Sequence, residues 1–372
     1  MLNILKYIIL SIFILNAPGA SLQFLGSGIG SALSYLSFLL LIIFYVLNKP
    51  GRPNAWMISI GLIYFLISGI QIYQGETSDF LTVCIKYFIV IICGSEVIKK
   101  TTANDLYVFL SIGALSILIN AIFFGGGYSR YSGLYLNPNA AGFICISCYT
   151  LSYAVKNKRL KNIGRIIAVV CGILTFSRTF IVILILVNLL SLINSIKNIK
   201  YFAIGFGILT LIIIFGDALN LDNPRFLVLK AAITGEQNSS RNYNIDEDSR
   251  TETWAHFYDA VENRPFLGNG YGAFQKGGVW TLGSHNTFLL IIGEAGIIAF
   301  LFIILFYINF LISGIRYFKI APNILMQSIA LILFLMAAHN YFILYYILFI
   351  SMWIQYNIKQ NKEEYEKNLF IN

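Results

Sequence analysis

The residues best suited to chemistry in this chain are arginines. Arg130, Arg178, Arg225, Arg241, Arg250 and Arg264 share one set of segments between apolar runs with only two lysines, Lys230 and Lys276. Arginine offers a planar fork that grips phosphate or carboxylate through two parallel hydrogen bonds, whereas lysine is a compact point charge. An arginine-rich set of loops therefore points to an anionic ligand. Arg178 is the sharpest case. It follows Ser177, a residue type that caps helices, at the turn between two short apolar runs. A guanidinium beside the free N–H groups of a helix start makes an anion site. The run before Ser177 has about 13 residues, worth roughly 20 Å, which falls short of a bilayer core. Arg178 would then lie at membrane depth, where an ionised side chain is by default functional. The alternative is an interfacial turn whose arginine reaches out to water.

Arg250 repeats the arrangement. Ser249-x-x-Glu252 reads as a capping box, and Trp254, Phe257, Tyr258 and Val261 follow at helical spacing as an apolar stripe. Arg250 would open an amphipathic helix at the membrane surface, stopped by Arg264-Pro265 and followed by the turn Gly268-Asn269-Gly270-Tyr271-Gly272. These glycines are too irregular for a nucleotide-binding fingerprint. His285, flanked by Ser284 and Asn286, starts a later apolar run. Histidine is the usual general base near neutral pH, although a lone histidine is more often structural. His256 and His339 rank lower: one sits away from the Arg250 side of its helix, the other in a tight turn. Lys86 and Glu294 are charges inside apolar runs that either line a cavity or pair across helices. No His, Asp, Glu or Cys cluster has metal-ligand spacing, so neither a metal nor a cofactor is expected. Cys84, Cys93, Cys145, Cys148 and Cys171 all lie in apolar runs, and Cys145-x-x-Cys148 has no second pair to complete a zinc or redox site.

The elements that position these residues are membrane helices. The 372 residues are 58% hydrophobic and only 12% charged. A soluble domain carries roughly 25% charged residues, so this chain has too few to cover itself with a polar surface. Apolar runs at 4–16, 28–47, 55–73, 79–98, 104–124, 139–155, 163–176, 178–195, 200–215, 285–311, 321–338 and 341–357 predict about twelve crossings. Lys6, Lys49 and Arg52, Lys99 and Lys100, the Lys156–Arg165 cluster, Lys197 and Lys200, Arg316 and Lys319, and the Lys359–Lys367 tail fall on one side. The positive-inside rule makes that side cytoplasmic, with both termini on it. The net charge of +9 is then a topology signal, not a nucleic-acid footprint. A start resembling a signal peptide is read as an uncleaved first helix. The expected organisation is N-terminal membrane helices over 1–215, a polar outer loop with an amphipathic helix over 216–284, C-terminal membrane helices over 285–358, and a short solvated tail over 359–372. The 163–196 and 320–358 runs each read as hairpins, turning near Ser177-Arg178-Thr179 and His339-Asn340. The cytoplasmic charges look purely topological.

These residues also carry a family resemblance. Arg130-Tyr-Ser-Gly-Leu-Tyr-Leu-Asn-Pro-Asn139-Ala-Ala-Gly142, Phe176-Ser-Arg-Thr179, Arg250-x-x-x-Trp254 with Pro265-x-x-Gly268-x-Gly270, and His285-Asn286 followed after nine residues by Gly296 resemble motifs of the O-antigen ligase and O-antigen polymerase superfamily of bacterial membrane glycosyltransferases. Ala299 is a mild departure from the small or Tyr residue of the ligase pattern. The motifs span roughly residues 125–300; the first four runs match in hydrophobicity alone.

The resemblance implies an all-α, GT-C-like polytopic fold in the bacterial inner membrane, with a periplasmic loop domain between helices 9 and 10. It implies a polyprenyl-diphosphate-linked glycan as donor and metal-independent transfer with inversion. Arg178 and Arg250 would neutralise the leaving diphosphate, and His285 would orient or deprotonate the acceptor hydroxyl. Arg130, Asn139, Arg225, Arg264 and Asn286 would bind substrate. The acceptor is a lipid A core if the chain is a ligase, or a second lipid-linked glycan if it is a polymerase. A polysaccharide or small-molecule transporter is the reading from another class, set back by the lack of an internal repeat and by candidate residues gathered at one face.

Overall fold

The computed structural model describes residues 1–73, 77–124, 130–200, 250–275, 283–338 and 340–369, with single positions between 203 and 214. Among these residues the fold is all-helical, and its sheet content is one isolated bridge between Ile72 and Tyr271. The helices are α1 (Leu2–Ile14), α2 (Ala17–Phe24), α3 (Ser27–Leu47), α4 (Ala55–Ser68), α5 (Thr77–Lys99), α6 (Ala103–Phe123), α7 (Pro138–Leu151), α8 (Lys158–Leu174), α9 (Arg178–Asn194), α10 (Arg250–Ala255), α11 (Tyr258–Asn263), α12 (Thr287–Arg316), α13 (Pro322–Leu335) and α14 (Tyr345–Leu369).

Local signals start most of the long helices. Thr102 and Asp105 form a reciprocal capping box on α6. Asn54, Asn137, Asn157, Ser177 and Asn286 each accept a backbone N–H at the head of α4, α7, α8, α9 and α12. Four helices (α3, α5, α6 and α12) are long and apolar enough to cross a bilayer, and the bent pair α1–α2 would make a fifth. The helices α4, α9 and α13, at 14, 17 and 14 residues, are apolar but shorter. Helix length alone thus carries four or five of the expected crossings. The 200–215 run lies almost wholly outside the described residues.

Several local readings are corrected. The first run ends in an elbow at Asn16, whose φ of 53° is left-handed, and the chain leaves through α2 at 57°. The expected tight turn at His339-Asn340 is a longer connector between Leu335 and Tyr345. Its Tyr341 and Phe342 are fully buried, and Phe342 stacks on Tyr64 with centroids 3.9 Å apart; His339 itself is outside the described residues. The tail continues α14 helically to Leu369, where Lys359–Glu363 and Lys362–Glu366 pair one turn apart. Two basic residues read as topological also have structural partners. Lys6 is buried in an ion pair with Asp105 at 2.8 Å. Arg165 is buried, donates to Ser152, and lies over the Tyr153 ring at 4.3 Å.

Candidate functional site

Three helix starts converge on one helix end. The α13 side chain Phe334, one residue from the helix end, stacks on Phe143 near the head of α7 at 4.3 Å. At the head of α7, Asn139 Oδ1 accepts from Ser177 Oγ at 3.0 Å, and Ser177 is the cap of α9. The head of α12 touches the same region, because Thr287 Oγ1 donates to the Ala338 carbonyl just beyond α13. Arg178 and His285, at the starts of α9 and α12, therefore flank the end of α13.

Arg178 is the first residue of α9, beside its capping Ser177, as expected. Its side chain is exposed, and no hydrogen bond or ion pair holds it among the described residues. The turn beneath it is buried and hydrogen-bonded. Thr175 and Ser177 are fully buried, and Phe176 adopts a left-handed φ of 49°. Arg130 holds this turn from the side, donating to the Thr175 carbonyl at 3.2 Å and to Asn139 Oδ1 at 3.0 Å. Arg130, Asn139 and Arg178 thus form one neighbourhood, in which Arg130 and Asn139 support the turn that presents Arg178.

His285 is exposed with a φ of 45°, an unusual backbone state for a non-glycine residue. Next to it Asn286 is buried, and its side-chain Oδ1 accepts from Phe288 and Leu289 N–H at 3.0 and 3.2 Å. Asn286 is the cap that fixes the head of α12. His285 projects from that fixed point.

The loop region is less uniform than the sequence suggests. Arg250 is the first residue of α10, but the expected single helix breaks at His256–Phe257 into α10 and α11. Phe257 of the predicted stripe is buried against Phe274, with centroids 5.0 Å apart, while Tyr258 faces outward. Ser249 and Arg225 lie outside the described residues. Arg264 is exposed and donates to Gln71 at 2.5 Å, across a cleft of about 390 Å³ walled by Ile67, Ile70, Phe266 and Leu267. It sits beside the end of α4, on a different stretch from Arg178.

The glycine cluster is the joint that unites these parts. Helix α12 breaks at Gly296, which has φ 73° and ψ −172°. A break inside an apolar helix frees backbone groups that need partners. The loop supplies them: Asn269 N–H reaches the Gly293 carbonyl at 2.7 Å, and Gly270 N–H reaches that of Glu294 at 3.1 Å. In return Ile297 N–H donates to the Pro265 carbonyl at 2.8 Å. Any side chain at Gly296 would collide with the Phe266 carbonyl, its Cβ falling 2.1 Å away. On the other side Tyr271 N–H donates to the Ser68 and Gln71 carbonyls, so the loop is wedged between α4 and α12. Glu294 seals the joint. It is fully buried, and its two carboxylate oxygens accept from Gly272 N–H, Phe274 N–H, the Tyr64 hydroxyl and the Gln275 amide. Ser284 N–H donates back to Phe274, which brings the loop up to His285. Tyr64, Gln71 and this role of Glu294 escaped sequence reasoning. The available signals were a carboxylate inside an apolar run and glycines clustered just before it.

A family model described as O-antigen ligase matches residues 163–304. That stretch begins in α8, takes in α9 with Arg178 and α10 with Arg250, and ends in α12 beyond His285 and Gly296. No curated protein matches the chain. The apolar helices and the matched segment together make this a multi-pass membrane protein. The matched segment, residues 163–304, carries the Arg178 and His285 motifs and is similar to the O-antigen ligase family.

Proposed function

We propose that this protein is an inverting, metal-independent glycosyltransferase of the bacterial inner membrane, crossing it about twelve times in a GT-C-like arrangement with both termini in the cytoplasm. It moves a glycan from a polyprenyl diphosphate to an acceptor hydroxyl on the periplasmic side. Residues 216–284 form the periplasmic loop between helices 9 and 10 of that count.

The observation that carries the reading is the exposed Arg178 at the head of α9, without a hydrogen bond or ion pair among the described residues and held by a buried turn next to the helix end that also neighbours His285. Transfer breaks the bond between the anomeric carbon and the diphosphate oxygen, and charge accumulates on the departing diphosphate. An arginine fork aided by free helix N–H groups stabilises that charge as it forms. Arg250 supplies the second guanidinium. His285 takes the proton from the acceptor hydroxyl as that oxygen attacks the opposite face of the anomeric carbon. Arg264 and Arg225 contact the lipid-linked glycan, and the apolar walls of the Arg264 cleft suit a donor whose tail stays in the bilayer.

The spacing of His285-Asn286 to Gly296 favours a ligase, with lipid A core as acceptor, over a polymerase that joins lipid-linked repeats. A deletion strain decides between them. Without a ligase, long glycan collects on the polyprenyl carrier and the core stays bare. Without a polymerase, the core still receives glycan, but only a single repeat. Unchanged lipid-linked and core-linked pools contradict both.

A further inference from the structure

Lys86 lies within α5, a helix long and apolar enough to span a membrane, and no acidic side chain answers it among the described residues. The other deeply placed cations are settled: Lys6 has Asp105, and Arg165 has Ser152 and two tyrosine rings. The Lys86 ammonium has only a long contact to Ser34 Oγ at 3.4 Å and the faces of Tyr35 and Phe38 at 5.6 and 5.5 Å.

The ammonium lines a notch of about 270 Å³ with Pro18, Gly19, Ser31 and Ser34. This notch sits at the elbow where α1 gives way to α2. The cap of α2, Asn16, makes no side-chain hydrogen bond to the helix, so the Ala17 and Gly19 N–H groups lack that partner, Pro18 between them having no N–H. One concave site therefore gathers an ammonium, two hydroxyls and the positive end of a helix, a set that matches a phosphate group.

The setting limits who can reach it. Lys86 is nine residues from the head of α5, about 14 Å along the axis, and thirteen from Lys99 at the basic end. The surface around the mouth is apolar and open: Tyr35 is 69% exposed, Leu22 53% and Ile85 58%. On a membrane helix such a surface faces lipid. An occupant must enter sideways from the bilayer and bring its own negative charge. We infer that the Lys86 notch binds the phosphate head group of a membrane lipid in the leaflet opposite the basic loops. The lipid is either a bilayer phospholipid or a polyprenyl phosphate. The notch shares no lining residue with the Arg178 turn, and its occupancy does not depend on the proposed transfer reaction.

The test uses the full-length chain purified in detergent, in an Arg178→Ala, Arg250→Ala background so that the proposed donor site does not contribute. Native mass spectrometry follows titration with phosphatidylglycerol, with a polyprenyl monophosphate and with diacylglycerol. The parent should bind the phosphate lipids, and Lys86→Gln should weaken them about tenfold, the loss expected for one charge-assisted phosphate contact. Lys86→Arg should retain binding. Ser31→Phe, at an exposed position, should block it while leaving the ammonium in place, which separates occupancy from any folding defect of the charge variant. Tighter binding of one phosphate lipid identifies the source. Equal binding by the parent, Lys86→Gln and Ser31→Phe, or diacylglycerol binding as well as phosphatidylglycerol, overturns the inference.

Discussion

The carboxylate of Glu294 accepts a hydrogen bond from the hydroxyl of Tyr64 at 2.5 Å, tying α12 to α4 in the interior of the bundle. The same carboxylate takes two backbone N–H groups of the loop that follows α11. A hydrogen bond to a charged partner contributes about 1.5–3 kcal/mol, whereas a stranded buried N–H costs about 1–3 kcal/mol each. Tyr64→Phe should therefore lower thermal stability in detergent modestly. Glu294→Leu, which strands both N–H groups, should lower it by about twice as much or more, and should open the 265–275 loop to limited proteolysis. Equal melting of the two variants and the parent would show that the clasp does not hold the loop.

Gly296 is the second fixed point. Its positive φ and its contact with the Phe266 carbonyl leave no room for a methyl group. Gly296→Ala should reduce the yield of folded protein sharply, while Ala299→Gly, three residues on and within regular helix, should cost only about 1 kcal/mol. Monodispersity on size-exclusion chromatography distinguishes the two. A well-folded Gly296→Ala protein would mean that the loop does not need the break.

In the proposed reaction the acceptor side depends on His285. His285→Ala should reproduce the deletion phenotype in both glycan pools while protein levels stay normal. Asn286→Ala should act differently. It removes a helix cap worth about 1 kcal/mol, so lowered stability should accompany any loss of transfer.

The proposed topology rests on the basic loops. Reporter fusions after Asn162 and Asn198 should read cytoplasmic, and fusions after Asn238 and Gly278 periplasmic. A cytoplasmic signal from Asn238 would put Arg250 on the wrong side of the membrane for a periplasmic reaction.

What the sequence revealed was what depends on near neighbours. Hydropathy located nearly every helix core, and Ser177 and Asn286 announced the starts of α9 and α12 because a cap and its N–H lie within three residues. The motif residues Arg130 and Asn139 also proved to be neighbours, at 3.0 Å. The reading failed where distant partners decide the backbone. Asn16 takes a left-handed φ with its side chain on the Leu134 carbonyl, 118 positions away. The stripe from Trp254 to Val261 has helical spacing, yet the helix breaks so that Phe257 can meet Phe274. The glycine cluster looked like a turn because its purpose, filling a break in α12, is invisible until the two segments meet. Arg165 looked like a surface charge because nothing near it in sequence predicts that Tyr153 and Ser152 enclose it.

The most direct test of the transfer mechanism is a reconstituted reaction with purified protein, a polyprenyl-diphosphate-linked glycan and its acceptor. The parent should transfer glycan in EDTA. Arg178→Ala and Arg250→Ala should abolish transfer at unchanged melting temperature, and the lysine variants should recover little, because a single ammonium lacks the bidentate fork. Full transfer by Arg178→Ala, or activity lost in EDTA and restored by a divalent cation, would contradict an arginine-held diphosphate as the leaving group.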